Sequence, residues 1–392
     1  MQAVIFCGGY GSRLGPITKH TPKPLLKIKN KYFLDYIIDN IKRFGVTEVL
    51  LLSHYKYKKF IKYLDYKKNN ISIKVIVEKK KLGTAGSLLN ARKYLDKNFY
   101  LINGDTFFNI NLLDLHFQFH KSKNKNNCII MSMRKKSGNR YSNFDIKNGV
   151  VIKTKKKNII NAGYYYVSKK ILRYIKKKHY SLENEVFPIL LNLKLILGKL
   201  YNLKSNKFVD IGVPKDFYNA HKIISDSIDR KTIFLDRDGV INRDYGYVHT
   251  IKKFRWLPKI IETIKFFNDN NFYVFVISNQ SGIGRGMYSE KSVFKLHNWI
   301  NNKLKNFGAH VDDFFIAPYF RESKKYGSSF HKNRRKPNFG MVYEAKKKWK
   351  VNLKKSFILG DQEGDLELAR RLRIKGFLVK NNNSLNIAKR IL

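Results

Sequence analysis

Cysteine is nearly absent from this sequence, with two residues, Cys7 and Cys128, among 392. That is too few for a disulfide framework, and Cys7 lies inside an apolar run, so a reducing compartment is expected. Also missing is any apolar run approaching the roughly 18 residues that a membrane span requires, and no basic, signal-like segment precedes the first apolar stretch. The expectation is a soluble, cytoplasmic protein with no membrane partner. Acidic residues are scarce too: 29 Asp and Glu stand against 79 Lys and Arg, a formal net charge of +50. Such a charge would ordinarily point to nucleic acid or another polyanion. No helix-turn-helix, zinc finger or aromatic-basic RNA-binding pattern accompanies it, and the lysines are spread through both halves with abundant Asn, Ile and Tyr. Codon bias toward A and T accounts for that mix best. A contribution to holding phosphorylated substrates comes second, and nucleic-acid binding third.

What the chain does contain is length for two cores and a repeated alternation of short apolar runs with helical patterns. Ala3–Cys7, Val49–Leu52, Ile73–Val77 and Phe99–Ile102 read as buried strands, and Phe33–Phe44 has the apolar spacing of a helix ending near Gly45. Thr232–Leu235, Val274–Ile277 and Phe357–Leu359 repeat the strand pattern in the second half. The polar stretch 225–231 marks a boundary. The fold class expected is α/β, two doubly wound domains over 1–226 and 230–392.

The first apolar run enters Gly8-Gly9-Tyr10-Gly11-Ser12-Arg13-Leu14, followed by Pro22-Lys23-Pro24. Gly8, Gly9 and Gly11 let the backbone approach a phosphate, and Arg13 and Lys23 bring cations to it. A Walker A loop would end in Gly-Lys-Ser/Thr, and a dinucleotide fingerprint needs glycine where Leu14 stands, so both are excluded. Asp105 closes the strand pattern ending in Asn103-Gly104, where a carboxylate is placed to hold a cation against a nucleotide phosphate.

These motifs resemble the signature of the sugar-phosphate nucleotidyltransferases. The resemblance implies a nucleobase contact for Gly83 and Thr84 in Leu82-Gly83-Thr84-Ala85-Gly86, and Mg2+ held by Asp105 and Asp210. It further implies sugar contacts for Asn161 and Gly163 in Asn161-Ala162-Gly163-Tyr164-Tyr165-Tyr166, and for Glu183; alone, the tyrosine run reads as a strand with alternating faces. A Glu-Lys pair usual before the Asn-Ala-Gly segment is replaced here by Thr154-Lys155-Lys156-Lys157, where a lysine remains for the sugar phosphate. Asn103–Phe108, Asn161–Gly163 and Phe208–Pro214 are similar to one branch, the guanylyltransferases acting on D-glycero-D-manno-heptose 1-phosphate, which implies GTP as co-substrate. The hexapeptide repeat of a left-handed helix carried by some longer relatives is not present.

In the second half, Asp236-Arg237-Asp238-Gly239 puts two carboxylates at one strand end. Asp236 suits a nucleophile toward phosphorus, and Asp238 a proton donor to the leaving oxygen and acceptor from water. With Ser278, Lys336 and Gly360-Asp361 following in order, the set resembles the haloacid dehalogenase-like phosphatases. That implies a phosphoryl-binding hydroxyl on Ser278, Lys336 steadying the nucleophile, and Mg2+ at Asp236, Asp238 and Asp361, with Asp365 as a further candidate. Within that group, Ser278–Gly286 and Arg335–Met341 are similar to the heptose 1,7-bisphosphate and histidinol-phosphate phosphatases, which implies substrate contacts for Asn279, Arg285 and Arg335. Zinc-ligand places in those relatives are Ala317, Tyr319, Lys332 and Arg334 here, so no zinc is expected.

The combined expectation is a bifunctional enzyme acting on small molecules, GTP and heptose phosphates, without nucleic acid. It would remove the C7 phosphate of D-glycero-D-manno-heptose 1,7-bisphosphate and join the 1-phosphate to GMP from GTP. Competing readings are a mannose 1-phosphate guanylyltransferase joined to a phosphatase of different substrate, and a regulatory or polyanion-binding module.

Overall fold

The computed structural model describes residues 1–66, 71–124, 126–135, 144–154, 159–380 and 382–392. The chain divides into two compact units, Met1–Ser227 and Ile228–Leu392.

The first unit is built on a nine-stranded sheet. Ser72–Val77, Glu48–Ser53, Gln2–Phe6 and Asn98–Asn103 lie side by side and parallel, in that order. Residues 3–5 and 49–51 are fully buried, as a parallel strand covered on both faces must be, which is why the sequence shows continuous apolar runs there. The helix Phe33–Lys42 stops two residues before its expected end. Beyond Asn98–Asn103 the sheet changes character. Ile159–Ser168 pairs antiparallel with Asn98–Asn103 and with Ile129–Lys135, and Ile196–Tyr201 runs parallel to the latter. The doubly wound parallel arrangement thus covers only part of this unit. Ile159–Ser168 carries a register shift between Asn161 and Tyr165, a bulge of the kind that re-aims side chains beside a site. A separate two-stranded ribbon, Thr106–Phe108 with Phe208–Asp210, opposes Asp210 to Thr106.

The second unit is a five-stranded, all-parallel sheet in the order Asp313–Ala317, Tyr273–Asn279, Thr232–Leu235, Phe357–Gly360, Lys375–Leu378. One apolar cluster lies on Ile233, Leu235, Val274 and Val276, and another on Phe234, Phe275, Ile277 and Ile358. The alternation along each strand supplies both faces at once. The central strand has neighbours on each side, so its carboxyl end and theirs form one rim, the place where open α/β sheets present ligand-binding residues.

Candidate active sites

In the first unit the glycine loop leaves the strand Gln2–Phe6 and turns back against Lys23. Gly11 has φ of 73°, and a Cβ there would stand 2.8 Å from Thr18 Cγ2 and 3.1 Å from Lys23 Cγ, so only glycine closes this turn. Gly8 packs against His54 and Glu78, whereas Gly9 has open space around it. The buried Lys23 Nζ lies 3.0 Å from Asp105 Oδ2. Asp105 and Asp210 come onto neighbouring segments, since the Ile211 N–H donates to the Asp105 carbonyl at 2.9 Å. Arg13 joins them: a Cβ on Gly212 would lie 2.8 Å from Asp210 Oδ1 and 2.9 Å from Arg13 Nη2. Two carboxylates beside a loop suited to phosphates form a donor set for a hard cation that nucleotide oxygens would complete.

Gly83 and Thr84 open the helix Gly83–Asn90. The Ala85 and Gly86 N–H groups donate to the Tyr180 carbonyl at 3.0 and 3.1 Å. Thr84 Oγ1 donates to Glu183 Oε2 at 2.7 Å and accepts from the Leu182 N–H at 2.8 Å. The base-side and sugar-side residues of the sequence reading are therefore in direct contact. Asn161 is engaged within its own strand: Nδ2 donates to Tyr165 OH at 2.6 Å and Oδ1 accepts from Gly163 N at 2.9 Å. Its amide thus holds the bulge. Lys155, Lys156 and Lys157 lie outside the described residues.

Glu78 was not singled out in the sequence. It follows the strand Ser72–Val77, is 5% exposed, and its buried Oε1 accepts no hydrogen bond among the described residues. Burial raises its carboxyl above the usual range, against hydrogen bonds from Ser87 and Leu82 that lower it. A buried acceptor beside Gly8 is matched to a ligand with donors to offer. A lone Glu at a strand end carries no such signal in sequence.

In the second unit, Asp236 and Asp238 follow the central strand, Ser278 and Asn279 end the strand beside it, and Asp361 follows the strand on the other side. Asp236, Asp238, Ser278, Asn279, Arg335, Lys336 and Asp365 line one cavity of about 350 Å³. Lys336 Nζ bridges Asp236 Oδ1 at 2.8 Å and Asp365 Oδ1 at 2.7 Å. Burial drives the Asp236 carboxyl upward, with the Lys336 ammonium opposing it. The Lys336 ammonium loses by burial but gains more from two carboxylates, and holds its proton above the ordinary range. Asp236, Asp361 and Asp365 each offer an oxygen within 4.8 Å of the others. Asp361 is raised by burial and by Asp365, and its buried Oδ1 has no hydrogen-bond partner among the described residues. Three carboxylates against one ammonium, with an unsatisfied oxygen, fit a divalent cation. Gly239, at φ of 84°, makes room: a Cβ there would fall 2.0 Å from Asp361 Oδ2.

Asp238 stands beside the cation cluster, held by other partners. The guanidinium of Arg237, wholly buried, reaches both of its oxygens, at 3.0 and 2.8 Å, and also donates to the Val248 carbonyl. In Asp-x-Asp patterns the middle residue has no assigned job, so Arg237 was overlooked. Asn279 pairs with the Lys336 backbone, accepting from its N–H at 3.0 Å and donating to its carbonyl at 3.3 Å, so its amide positions the lysine. Arg335 lines the cavity with a buried Nη1 that has no partner among the described residues. Arg285 is exposed, stacks 4.0 Å from the Phe320 ring, and is not part of the cavity lining. Ala317, Tyr319, Lys332 and Arg334 include no thiol, and both cysteines belong to the first unit. Arg334 pairs instead with Glu344, at 2.7 and 3.0 Å.

The nucleotidyl transferase family profile matches residues 2–227, and the polynucleotide kinase 3 phosphatase profile matches residues 231–380. Such families work with a divalent metal. Over 163 residues the chain is 39% identical to the D-glycero-beta-D-manno-heptose-1,7-bisphosphate 7-phosphatase of Rhodopseudomonas palustris, covering 42% of this chain and 91% of that one. Over 227 residues it is 34% identical to the D-glycero-alpha-D-manno-heptose 1-phosphate guanylyltransferase of Campylobacter jejuni, covering 56% of this chain and 98% of the relative. A D-glycero-alpha-D-manno-heptose-1,7-bisphosphate 7-phosphatase of Photorhabdus laumondii is 38% identical over 154 residues, 39% of this chain and 84% of the relative. No helix among the described residues is long and apolar enough to cross a membrane.

Proposed function

Because the chain belongs to the nucleotidyl transferase family, with a second unit that belongs with the heptose-bisphosphate 7-phosphatases, we propose that it catalyses two consecutive steps on one sugar. The phosphatase removes the C7 phosphate of D-glycero-D-manno-heptose 1,7-bisphosphate. The transferase then joins the remaining 1-phosphate to GMP from GTP, releasing pyrophosphate. The observation that carries this reading is the agreement of two unrelated sites, each matching most of the length of a relative, on the same heptose. The alpha anomer is the proposed form, since the guanylyltransferase relative and one phosphatase relative both act on it. The working domains are taken as 1–226 and 230–392, acting in the cytoplasm on small phosphorylated molecules rather than nucleic acid.

In the transferase, Gly8, Gly9 and Gly11 hold the triphosphate, and Arg13 and Lys23 neutralise charge as the sugar phosphate attacks the alpha-phosphorus in line. Gly83 and Thr84 meet the base, and Asn161, Gly163 and Glu183 form the sugar side. Glu78 supports the choice of GTP: a carboxylate accepts from the adjacent ring N–H and amino group on the Watson-Crick edge of guanine. Asp105 and Asp210 would hold Mg2+, which supplies further neutralisation of the phosphates.

In the phosphatase, Asp236 attacks the C7 phosphorus while Asp238 protonates the departing sugar oxygen, and Asp238 later takes the proton of the hydrolytic water. Ser278 and Lys336 bind the phosphoryl oxygens, and Arg335, whose buried Nη1 has no partner among the described residues, suits the phosphate at the other end of the sugar. Asn279 fixes Lys336 through its backbone, and Arg285 is proposed to meet the sugar at the rim. Asp236, Asp361 and Asp365 would hold Mg2+, with Asp238 beside them, and bound there the ion screens nucleophile and phosphate from each other.

The test is a panel of sugar phosphates and nucleoside triphosphates with separate detection of phosphate and pyrophosphate. The proposal expects heptose and GTP to be preferred in both readouts. A preference for mannose 1-phosphate, or phosphate release confined to an unrelated monoester, would overturn it.

A further inference from the structure

Gln280 has no place among the residues assigned above, yet it touches two of them. It follows the strand Tyr273–Asn279 and is 2% exposed. Its Nε2 donates to Ser278 Oγ at 2.8 Å and to Asp238 Oδ2 at 3.1 Å, while its Oε1 accepts from Tyr288 OH at 2.9 Å. The Tyr288 hydroxyl donates to the amide oxygen, so the amide presents its nitrogen to Ser278 and Asp238. Tyr288 is a dependable donor: burial pushes its phenol up to about 12. The Tyr288 ring is itself held, stacked on His249 with centroids 4.3 Å apart. The other carboxylate oxygen, Asp238 Oδ1, accepts from Asn242 Nδ2 at 2.9 Å and from Arg237. Asp238 is therefore fixed at both oxygens, and Gln280 is its partner on the cavity side.

Resting on the phosphatase reading, we infer that Gln280, oriented by Tyr288, is the positioning residue that aims Asp238 at the leaving oxygen of the substrate. In that step an Asp236 oxygen bonds to phosphorus, the bond from phosphorus to the sugar oxygen breaks, and the proton passes from Asp238 to that oxygen. A nitrophenolate leaves as an anion and needs no such proton. The same Gln280 amide donates to Ser278 Oγ, which turns the Ser278 proton toward the cavity and a phosphoryl oxygen. That second effect acts on every leaving group alike.

The two effects separate in first-turnover rates of the full-length protein on an alkyl phosphate, such as the sugar bisphosphate, and on 4-nitrophenyl phosphate. For Gln280→Leu the ratio of alkyl to aryl rate should fall about 100-fold, and for the milder Tyr288→Phe about 10-fold, the scale of general acid catalysis. Aryl turnover in each variant also reports that the site is folded. Equal losses on the two esters, or no loss, would overturn the assignment of Gln280 while leaving the phosphatase reading intact. A wild-type protein inert toward both esters would overturn both.

Discussion

Thr84 donates its hydroxyl to Glu183 Oε2 at 2.7 Å, tying the turn that opens the helix Gly83–Asn90 to a segment 99 residues further on. The first residue sits on the proposed base side and the second on the sugar side. Binding of one substrate would therefore help to order the contacts of the other. Hydrogen bonds to charged groups contribute about 1.5–3 kcal/mol, less when exposed as this one is. Thr84→Val should raise KM for both GTP and sugar phosphate about 5-fold, with kcat little changed. A change confined to one substrate, in steady-state kinetics with the other saturating, would show that the link is only local.

Lys23 pairs with Asp105 and Arg13 lies near Asp210, so each carboxylate proposed to hold the cation has a cationic neighbour. Asp105→Asn should lower nucleotidyl transfer about 1000-fold or more, on the scale of removing a principal electrostatic contact. Phosphate release from the bisphosphate should remain. Pyrophosphate release by the intact protein that persists after magnesium is removed would contradict the assignment.

Much of this was legible in the sequence, and for local reasons. A buried parallel strand must be a continuous apolar run, so 3–5, 49–51 and 233–235 could be read directly, and the residues just after them fall on the sheet rim. Asp236 follows the last of these runs, and Asp105 and Asp361 likewise lie just past the strands Asn98–Asn103 and Phe357–Gly360. The antiparallel half of the first sheet was not legible, because the pairing of Ile159–Ser168 with Asn98–Asn103 joins segments about sixty residues apart and leaves no local mark. Glu78, Arg237 and Gln280 were missed for a related reason. Each earns its place through burial and partners, and a single polar residue after a strand looks the same whether it faces solvent or a cavity. Arg285 shows the converse: its motif is intact, but the side chain lies on Phe320 and is not part of the cavity lining.

His297 gives the second unit an acid sensitivity. Burial and the neighbouring Arg237 hold its imidazole at about 3, and Arg237 Nη1 lies 3.4 Å from its Nε2. Below the unfolded value near 6.5 the unfolded chain binds a proton that the folded one refuses. This contribution is thus present above that pH and lost as pH falls toward 3, by about 1.4 kcal/mol per pH unit. All three tryptophans, Trp256, Trp299 and Trp349, lie in this unit, so their fluorescence reports its denaturation alone. His297→Gln keeps an acceptor for Arg237 and should flatten the dependence by one proton; an unchanged slope would exclude His297 as its source.

Arg334 and Glu344, with Tyr326 buried against Ile283, Val293 and Ile316, hold the segment before Arg335 by ion pairing and apolar contact. Phosphatase activity should accordingly survive a zinc-selective chelator, and Glu344→Gln should raise KM for the bisphosphate several-fold, about 3- to 10-fold, by loosening Arg335. Elemental analysis finding about one tightly held zinc per chain would contradict this account.

The claim that two sites serve one sugar in sequence is tested most directly by following the full-length protein with heptose 1,7-bisphosphate, GTP and Mg2+, resolving products over time. The account predicts phosphate release from C7, then pyrophosphate and GDP-heptose. For Asp236→Asn it predicts neither phosphate nor GDP-heptose from the bisphosphate, yet nearly undiminished GDP-heptose from supplied heptose 1-phosphate. Loss of transfer from the 1-phosphate in a folded Asp236→Asn protein, or formation of GDP-heptose 7-phosphate as the main product of the wild type, would contradict it.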